Sequence, residues 1–166
     1  MIRISSLVAC LVLVGSVQMP STTDWRGMSP LKSTRVDVER MLGRPDHNIN
    51  NELVTYDFPD MEVDFSFDSN PNCQQKLPYT SWNVTSDTVT GIHVIFRPGR
   101  RVADSGIDLT KYKKIEVGGD LLDQYAYFNA DHSFVIEVGG SDYLRGYIYQ
   151  PGAKHENLRC ERVKKN

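Results

Sequence analysis

One segment of this chain has the hydrophobic period of a helix. Within residues 25–45, apolar side chains recur at i, i+3 and i+4, at Val38, Met41 and Leu42. Ser33 or Thr34 can cap the first turn, and Asp37, three residues after Thr34, is typical of a capping box. Gly43 followed by Pro45 is typical of a helix end. The sequence therefore predicts a short helix with one buried stripe.

Two further segments, residues 54–58 and 61–68, alternate between apolar and polar side chains with the period of two that half-buried strands show. Four more segments are predicted as strands: residues 89–96, 124–128, 134–138 and 143–149. Pro59 and Asp60 mark a tight hairpin between the first two strands. Residues 108–115 are predicted to form a second short helical segment, capped by Asp108.

The order of these elements repeats along the chain. Residues 94–99 align without a gap with residues 147–152, both segments ending in Pro-Gly. We therefore expect an α+β fold of two similar halves, each a short helix followed by three antiparallel strands. The two halves can share one curved sheet. The first unit would span 25–99, the second 108–160, with a linker at 100–107 and a basic tail at 161–166. Both helical segments would cover one face of the sheet and leave the other open.

The beginning of the chain has the features of an export signal. Arg3 precedes an apolar run at residues 7–17, and small residues follow at positions suited to signal-peptidase cleavage after residue 16. Residues 1–16 are predicted as a signal peptide and 17–24 as a flexible N-terminus. The run falls short of the roughly 20 residues of a membrane span, so no transmembrane segment is expected in the mature chain.

Cys10 leaves lipidation open as an alternative, although this lipobox-like cysteine lies early, inside the apolar run. Export would place the protein in the periplasm or outside the cell. There Cys73 and Cys160, the cysteines of the mature chain, are expected to form a disulfide. A reactive thiol or metal pair would require a nearby His or a Cys-x-x-Cys motif, which the sequence lacks.

The charge of the chain argues against nucleic acid as a partner. The formal net charge is −2, and removal of Arg3 with the signal peptide makes it more negative. Nucleic-acid binders carry a basic face, and the short basic clusters here are more typical of solvated loops and ends. Neither composition nor motifs indicate a cofactor.

Several of these residues resemble known bacterial envelope proteins. Gly27-Met28, Ser33-Thr34, Val38, Leu42-Gly43 and Pro45, followed by strands, resemble the SmpA/OmlA (BamE) group. The doubled arrangement is similar to beta-lactamase inhibitor protein, which implies a tandem of two units that binds a target through a concave, aromatic-rich sheet face. Residues 31–39, 82–84 and 158–160 also resemble a set of uncharacterised secreted bacterial proteins.

The last strand offers the best candidates for an interface. Tyr143, Arg145, Tyr147 and Tyr149 would occupy one face of it, and Tyr and Arg often anchor interfaces because they bury much area while keeping a polar tip. In the alternative, Tyr147 and Tyr149 face the core. Trp82 is included in the predicted binding set, although a lid over the sheet is the favoured interpretation.

Catalytic and metal-binding patterns are weak. The acidic residues of the first two strands have the spacing of strand alternation and do not converge, which favours a solvated face over a calcium site; they are Asp57, Asp60, Glu62, Asp64 and Asp68. The histidines are scattered and form no metal-ligand pair, so no metal is expected. We expect a non-catalytic module that binds a protein partner through an open aromatic sheet face. The alternative is a secreted hydrolase, for which Asp64 with His93 on the adjacent strand is the pair to test.

Overall fold

The computed structural model describes residues 23–68, 70–75, 81–117 and 124–161. The predicted signal peptide and Cys10 lie outside the described residues, as do residues 17–22 and 162–166. The described part of the chain contains one α-helix and eight strands: α1 Arg35–Leu42, β1 His47–Asn50, β2 Leu53–Phe58, β3 Met61–Phe67, β4 Val89–Arg101, β5 Lys113–Glu116, β6 Tyr125–Phe128, β7 Phe134–Gly139 and β8 Tyr143–Tyr149. No helix among them has the length and apolar character needed to cross a bilayer.

The local signals around α1 act as the sequence predicts. The Asp37 backbone N–H donates to the Thr34 hydroxyl oxygen at 3.3 Å, and the Thr34 N–H donates to the Asp37 carboxylate at 2.9 Å. Each side chain thereby satisfies a backbone donor that the first turn leaves unpaired. At the other end Gly43 has a φ of 84° and its N–H bonds the Glu39 carbonyl oxygen. The predicted capping box is therefore confirmed.

All eight strands belong to one antiparallel sheet with the order β1-β2-β3-β4-β8-β7-β6-β5. Strands β1–β4 and β5–β8 each run as a meander, and β4 pairs with β8 at the centre of the sheet. The predicted shared sheet is thus present, and the fold is mostly β and broadly α+β. An internal duplication stays a prediction.

Three local expectations need correction. Each half has four strands instead of three, because the polar segment before β2 forms β1 and the segment before β6 forms β5. The predicted second helical segment is a 3-10 turn at Leu109–Lys111 followed directly by β5. Strand β4 continues to Arg101, into the predicted linker, because Arg100 and Arg101 pair with residues of β8.

The hydrophobic core lies on one face of the sheet. Its covering residues over β2–β4 come from the N-terminal segment and α1, where Trp25 packs edge-on against Phe58 and Phe65. Over the other half, Tyr112 packs on Phe134. Both covers therefore lie on the same face, as the sequence predicts.

The opposite side of the sheet is called the open face below. Its side chains belong to two cross-strand rows that follow from the strand registers: Thr55, Asp64, His93, Ile148 and Val135, and Asp57, Glu62, Ile95, Gly146 and Glu137.

Cys73 and Cys160 form the predicted disulfide, with their Cα atoms 5.4 Å apart. Beside it the buried Asp68 carboxylate accepts hydrogen bonds from the backbone N–H groups of Asn70 and Trp82, each at 2.6 Å. Trp82 also forms a β-bridge with Arg159. The disulfide and Asp68 together join the segment after β3 to the end of the described chain.

Candidate functional site

A bulge in β8 divides the four predicted interface residues into two pairs. Across β7 and β8, Glu137 lies opposite Gly146 and Val138 lies opposite Leu144, so Arg145 is the extra residue. A bulge of this kind breaks the alternation of side chains along a strand. Leu144, Tyr147 and Tyr149 consequently belong to the buried core, whereas Tyr143 and Arg145 are exposed.

The prediction that Tyr147 and Tyr149 lie on an open face is therefore wrong, and the core alternative is correct. Their relative exposures are 8% and 2%. Burial raises the pKa of the Tyr147 hydroxyl to about 12, and that of Tyr149 is raised as well. On the covered side of the sheet both tyrosines help to line a largely apolar cavity of about 210 Å³ beneath Trp25 and Arg26.

Trp82 lies apart from Tyr143 and Arg145. It is buried beside the disulfide-linked segment, with the Arg159 guanidinium 5.2 Å from the centre of its ring. Trp82 is not among the residues that line the cavity on the open face. The structure therefore does not bring the predicted binding set together at one place.

Arg145 lines a cavity of about 190 Å³ that lies at the open face. Its lining combines polar and apolar groups: His93, Ile95, Val117, Gln124, Tyr125, Glu137, Val138 and Arg145. Small-molecule pockets usually enclose about 300 to 1,000 Å³. This cavity is smaller than that range, so it has room for a group about the size of one amino-acid side chain.

The centre of the cavity is a hydrogen-bonded pair of side chains. The His93 Nε2–H donates to the Glu137 carboxylate at 2.7 Å, and each side chain keeps about a third of its surface exposed. This hydrogen bond holds the pKa of the Glu137 carboxyl below its usual value, against the opposing effect of burial. The positive charge of Arg145 also lowers that pKa. Glu137 is therefore a carboxylate at neutral pH, fixed by two neighbours.

Gly146 makes room for this pair at the junction of the two halves. It lies on β8 between Glu137 of β7 and Ile95 of β4, so no side chain separates His93 from Glu137 at that position. A Cβ on Gly146 would come within 2.1 Å of the Val94 carbonyl oxygen. Only glycine fits so close to a neighbouring backbone. We call the group of His93, Glu137 and Arg145 the open-face site.

His93 is the histidine expected for the hydrolase alternative, but its carboxylate partner differs from the predicted Asp64. Asp64 lies directly opposite His93 in the sheet, yet its carboxylate accepts a hydrogen bond from the Thr55 hydroxyl at 2.5 Å. The carboxylate bound to His93 is that of Glu137, which the sequence analysis does not select. Glu137 is a polar residue within an apolar strand, which is a signal, but its partner depends on the order of the strands.

The acidic residues near β1 to β3 are paired with basic side chains. Arg97 forms ion pairs with both Asp57 and Glu62, and Asp57 also accepts from His47 at 3.1 Å. The carboxylates thus lie in a row along the sheet and do not surround one point. Among the described residues no group of three or more His, Cys, Asp or Glu side chains converges as a metal site.

Exposed apolar side chains occur at the other end of the sheet. Ile115 of β5 and the following Val117 are 37% and 62% exposed, and Tyr143 is 40% exposed. The register places Ile115 in the row of Ala126 and Glu137 on the open face. The open face is therefore ionic at β1–β3 and more apolar near β5, with the open-face site between these parts.

The fold and the site define an α+β protein with one antiparallel sheet, covered on one face and bearing a small mixed cavity at the other. No family model matches the chain, and no curated protein matches it. Among solved structures, the chain is similar to a DUF4309 family protein, YjgB, from Bacillus subtilis subsp. subtilis str. 168. The TM-score is 0.50 with 14% sequence identity, covering 80% of this chain and 86% of that chain.

At that identity the similarity concerns the fold alone. It links this single-sheet architecture to a bacterial protein. The comparisons give no support for the resemblance to the SmpA/OmlA group or to beta-lactamase inhibitor protein, which stays a prediction.

Proposed function

We propose that this protein is an exported, non-catalytic module of the bacterial cell envelope or exterior that binds a protein partner through the open face of its sheet. One observation carries the proposal. The described cover of the core lies on one face of the sheet, whereas on the opposite face Arg145 lines a cavity of about 190 Å³ and Tyr143, two residues before it, is exposed. Tyr and Arg are the residue types that most often dominate binding energy at interfaces.

The chemistry of the open-face site supports recognition of a side chain that is partly apolar and partly polar. Ile95 and Val117 contribute apolar surface to the cavity, and Arg145 and the His93–Glu137 pair contribute charged and hydrogen-bonding groups. The Glu137 carboxylate is already hydrogen-bonded to His93. When a partner excludes water from this carboxylate, the hydrogen bond remains and offsets part of the cost of desolvation. A mixed cavity of this kind favours specificity over a purely apolar contact.

Site-directed photo-crosslinking in envelope extracts tests the proposal. A photoreactive amino acid at position 143, in place of Tyr143, should give one discrete cross-linked partner. Arg145→Ala should weaken the affinity for that partner by roughly tenfold or more, the usual effect of removing an interface anchor. The matched control is the same photoreactive residue at Val36 on α1, which is 60% exposed. No discrete product at position 143, or an equal product at position 36, would contradict a partner at the open face.

The hydrolase alternative rests on the His93–Glu137 pair beside a cavity, which is the arrangement of a base with its orienting carboxylate. Glu137→Gln distinguishes the two functions. Under the binding proposal the variant shows no loss of turnover on ester, amide or glycoside substrates relative to the parent protein. A turnover that the parent protein has and Glu137→Gln loses would favour the enzyme.

A further inference from the structure

Strand β5 is an exposed and regular edge of the sheet. Its residues from Lys113 to Glu116 are all exposed, and β6 is its single neighbour among the described strands. The β5–β6 register runs without a bulge. At the other edge, β1 has a register shift between Asn48 and Asn50. Bulges protect an edge from pairing with another chain, so β5 is the better template of the two.

One hydrogen bond fixes the direction of the backbone groups in β5. The Val117 N–H donates to the Gln124 carbonyl oxygen at 3.0 Å, toward β6. This direction alternates along an antiparallel strand. Ile115 therefore also points its backbone groups toward β6, whereas Lys114 and Glu116 point theirs toward the free edge. A new strand at this edge would form its hydrogen bonds with Lys114 and Glu116.

We infer that β5 binds a second copy of this chain, by antiparallel pairing of the two β5 strands around a twofold axis at Ile115. Residues with outward backbone groups must lie opposite each other in such a pair. An axis at Lys114 would place Lys114 opposite the Lys114 of the other copy, and an axis at Glu116 would do the same for Glu116, so like charges would meet. The axis at Ile115 instead places Lys114 of each copy opposite Glu116 of the other, which is the attractive arrangement.

The side chains fit this register on both faces of the sheet. The Lys114 ammonium lies 3.5 Å from the centre of the Tyr125 ring, on the face that it shares with Glu116. On the open face, Ile115 of one copy would meet Ile115 of the other at a position without hydrogen bonds, where side chains approach most closely. The strand is thus complementary to itself in both charge and apolar contact.

The twofold pairing has a consequence for the open face. In this register Lys113 of the partner copy lies opposite Val117, which lines the cavity of the open-face site. The two sheets would join into one, with both open faces on the same side. The pairing itself does not depend on the proposed function; only this last consequence does. Because a twofold contact uses the same patch on both copies, it closes as a dimer and does not propagate.

Sedimentation equilibrium on the mature protein tests the inference. A short edge buries less area than a standard interface, so we expect a weak, reversible dimer. The dimer has two symmetry-related contacts between Lys114 and Glu116. Glu116→Lys places two positive charges opposite each other at both contacts and should raise the Kd by roughly tenfold or more. Glu116→Gln should have a smaller effect in the same direction. The exchange Lys114→Glu with Glu116→Lys restores opposite charges and should restore the dimer.

Ile49→Lys on β1 is the control, because Ile49 is 63% exposed on the opposite edge; it should leave the Kd unchanged. Melting temperatures of all variants verify that they fold. The inference is wrong if the parent protein stays monomeric up to about 500 μM, which would mean a Kd closer to the millimolar than to the micromolar range. It is equally wrong if the charge exchange dimerises no better than Glu116→Lys, or if Ile49→Lys weakens the dimer as much.

Discussion

Replacement of Gly146 by alanine should disrupt the junction between the two halves of the sheet. Gly146 lies on β8, paired with Ile95 of β4 and Glu137 of β7. A Cβ at this position would lie 2.1 Å from the carbonyl oxygen of Val94 and 3.2 Å from its carbon. The first distance is more than an ångström inside ordinary van der Waals contact. Because the obstacle is backbone, side-chain rotation cannot relieve the overlap.

The expected cost follows from this geometry. Overpacking of a well-packed site costs about 1 to 3 kcal/mol, and a backbone obstacle at the centre of the sheet places this variant at the upper end. Alanine also lowers the conformational entropy of the unfolded chain, which stabilises the folded state by roughly 0.4 to 1 kcal/mol. We therefore expect Gly146→Ala to lower the free energy of unfolding by about 2 kcal/mol, with lower hydrogen-exchange protection in β4 and β8.

Gly91→Ala is the matched control on β4. The nearest atom to a Cβ there is the Ser66 Cβ at 3.6 Å, an ordinary contact. The unfolding free energy of this variant should stay within about 0.5 to 1 kcal/mol of the parent protein. Urea titrations followed by circular dichroism give both values by linear extrapolation. If Gly146→Ala is as stable as Gly91→Ala, the close approach of β4 and β8 at this residue is incorrect.

Three further predictions concern the site, the core and the disulfide. Glu137→Gln should lose about 1 kcal/mol at neutral pH, since a charge-assisted hydrogen bond is weakened at a partly exposed position. Because the pKa of Glu137 is lower in the folded state, its contribution to stability is present above the ordinary value of 4.5 and is lost as the pH falls through the lowered value. Denaturation at a series of pH values should therefore show the difference in unfolding free energy between the parent protein and Glu137→Gln shrinking as the pH falls. A difference that stays constant with pH would contradict this reasoning. Tyr149→Ala should cost about 3 to 5 kcal/mol because a buried ring is removed, whereas Tyr143→Ala should stay within about 0.5 kcal/mol; equal melting temperatures would refute this assignment of faces. Replacing both Cys73 and Cys160 by alanine opens a loop of 87 residues and should cost roughly 4 to 5 kcal/mol, measured by urea unfolding against the oxidised parent protein; an unchanged midpoint would be inconsistent with the bond.

Local signals in the sequence predict the local structure well. The capping box of Thr34 and Asp37 and the glycine at position 43 place the ends of α1 because they act within one turn of the chain. Alternation predicts the positions of β2 and β3, and the apolar segments between turn residues predict β4, β6, β7 and β8. The short edge strands β1 and β5 are missed because all of their residues are exposed, so they lack such a pattern.

The open-face site depends on the tertiary structure. Which side chains of β8 are buried was decided by the bulge at Arg145, and a bulge depends on the register of the neighbouring strands rather than on β8 alone. His93 and Glu137 are far apart in the sequence, and only the placement of β8 between β4 and β7 brings them to 2.7 Å.

By itself, therefore, the sequence determined where the helix caps lie, which segments alternate, and which cysteines could pair. The order and register of the strands determined which residues meet on the open face. The physical reason is range: capping and alternation are fixed by neighbours a few residues away, whereas contacts across the sheet exist only after distant strands have packed on a shared core.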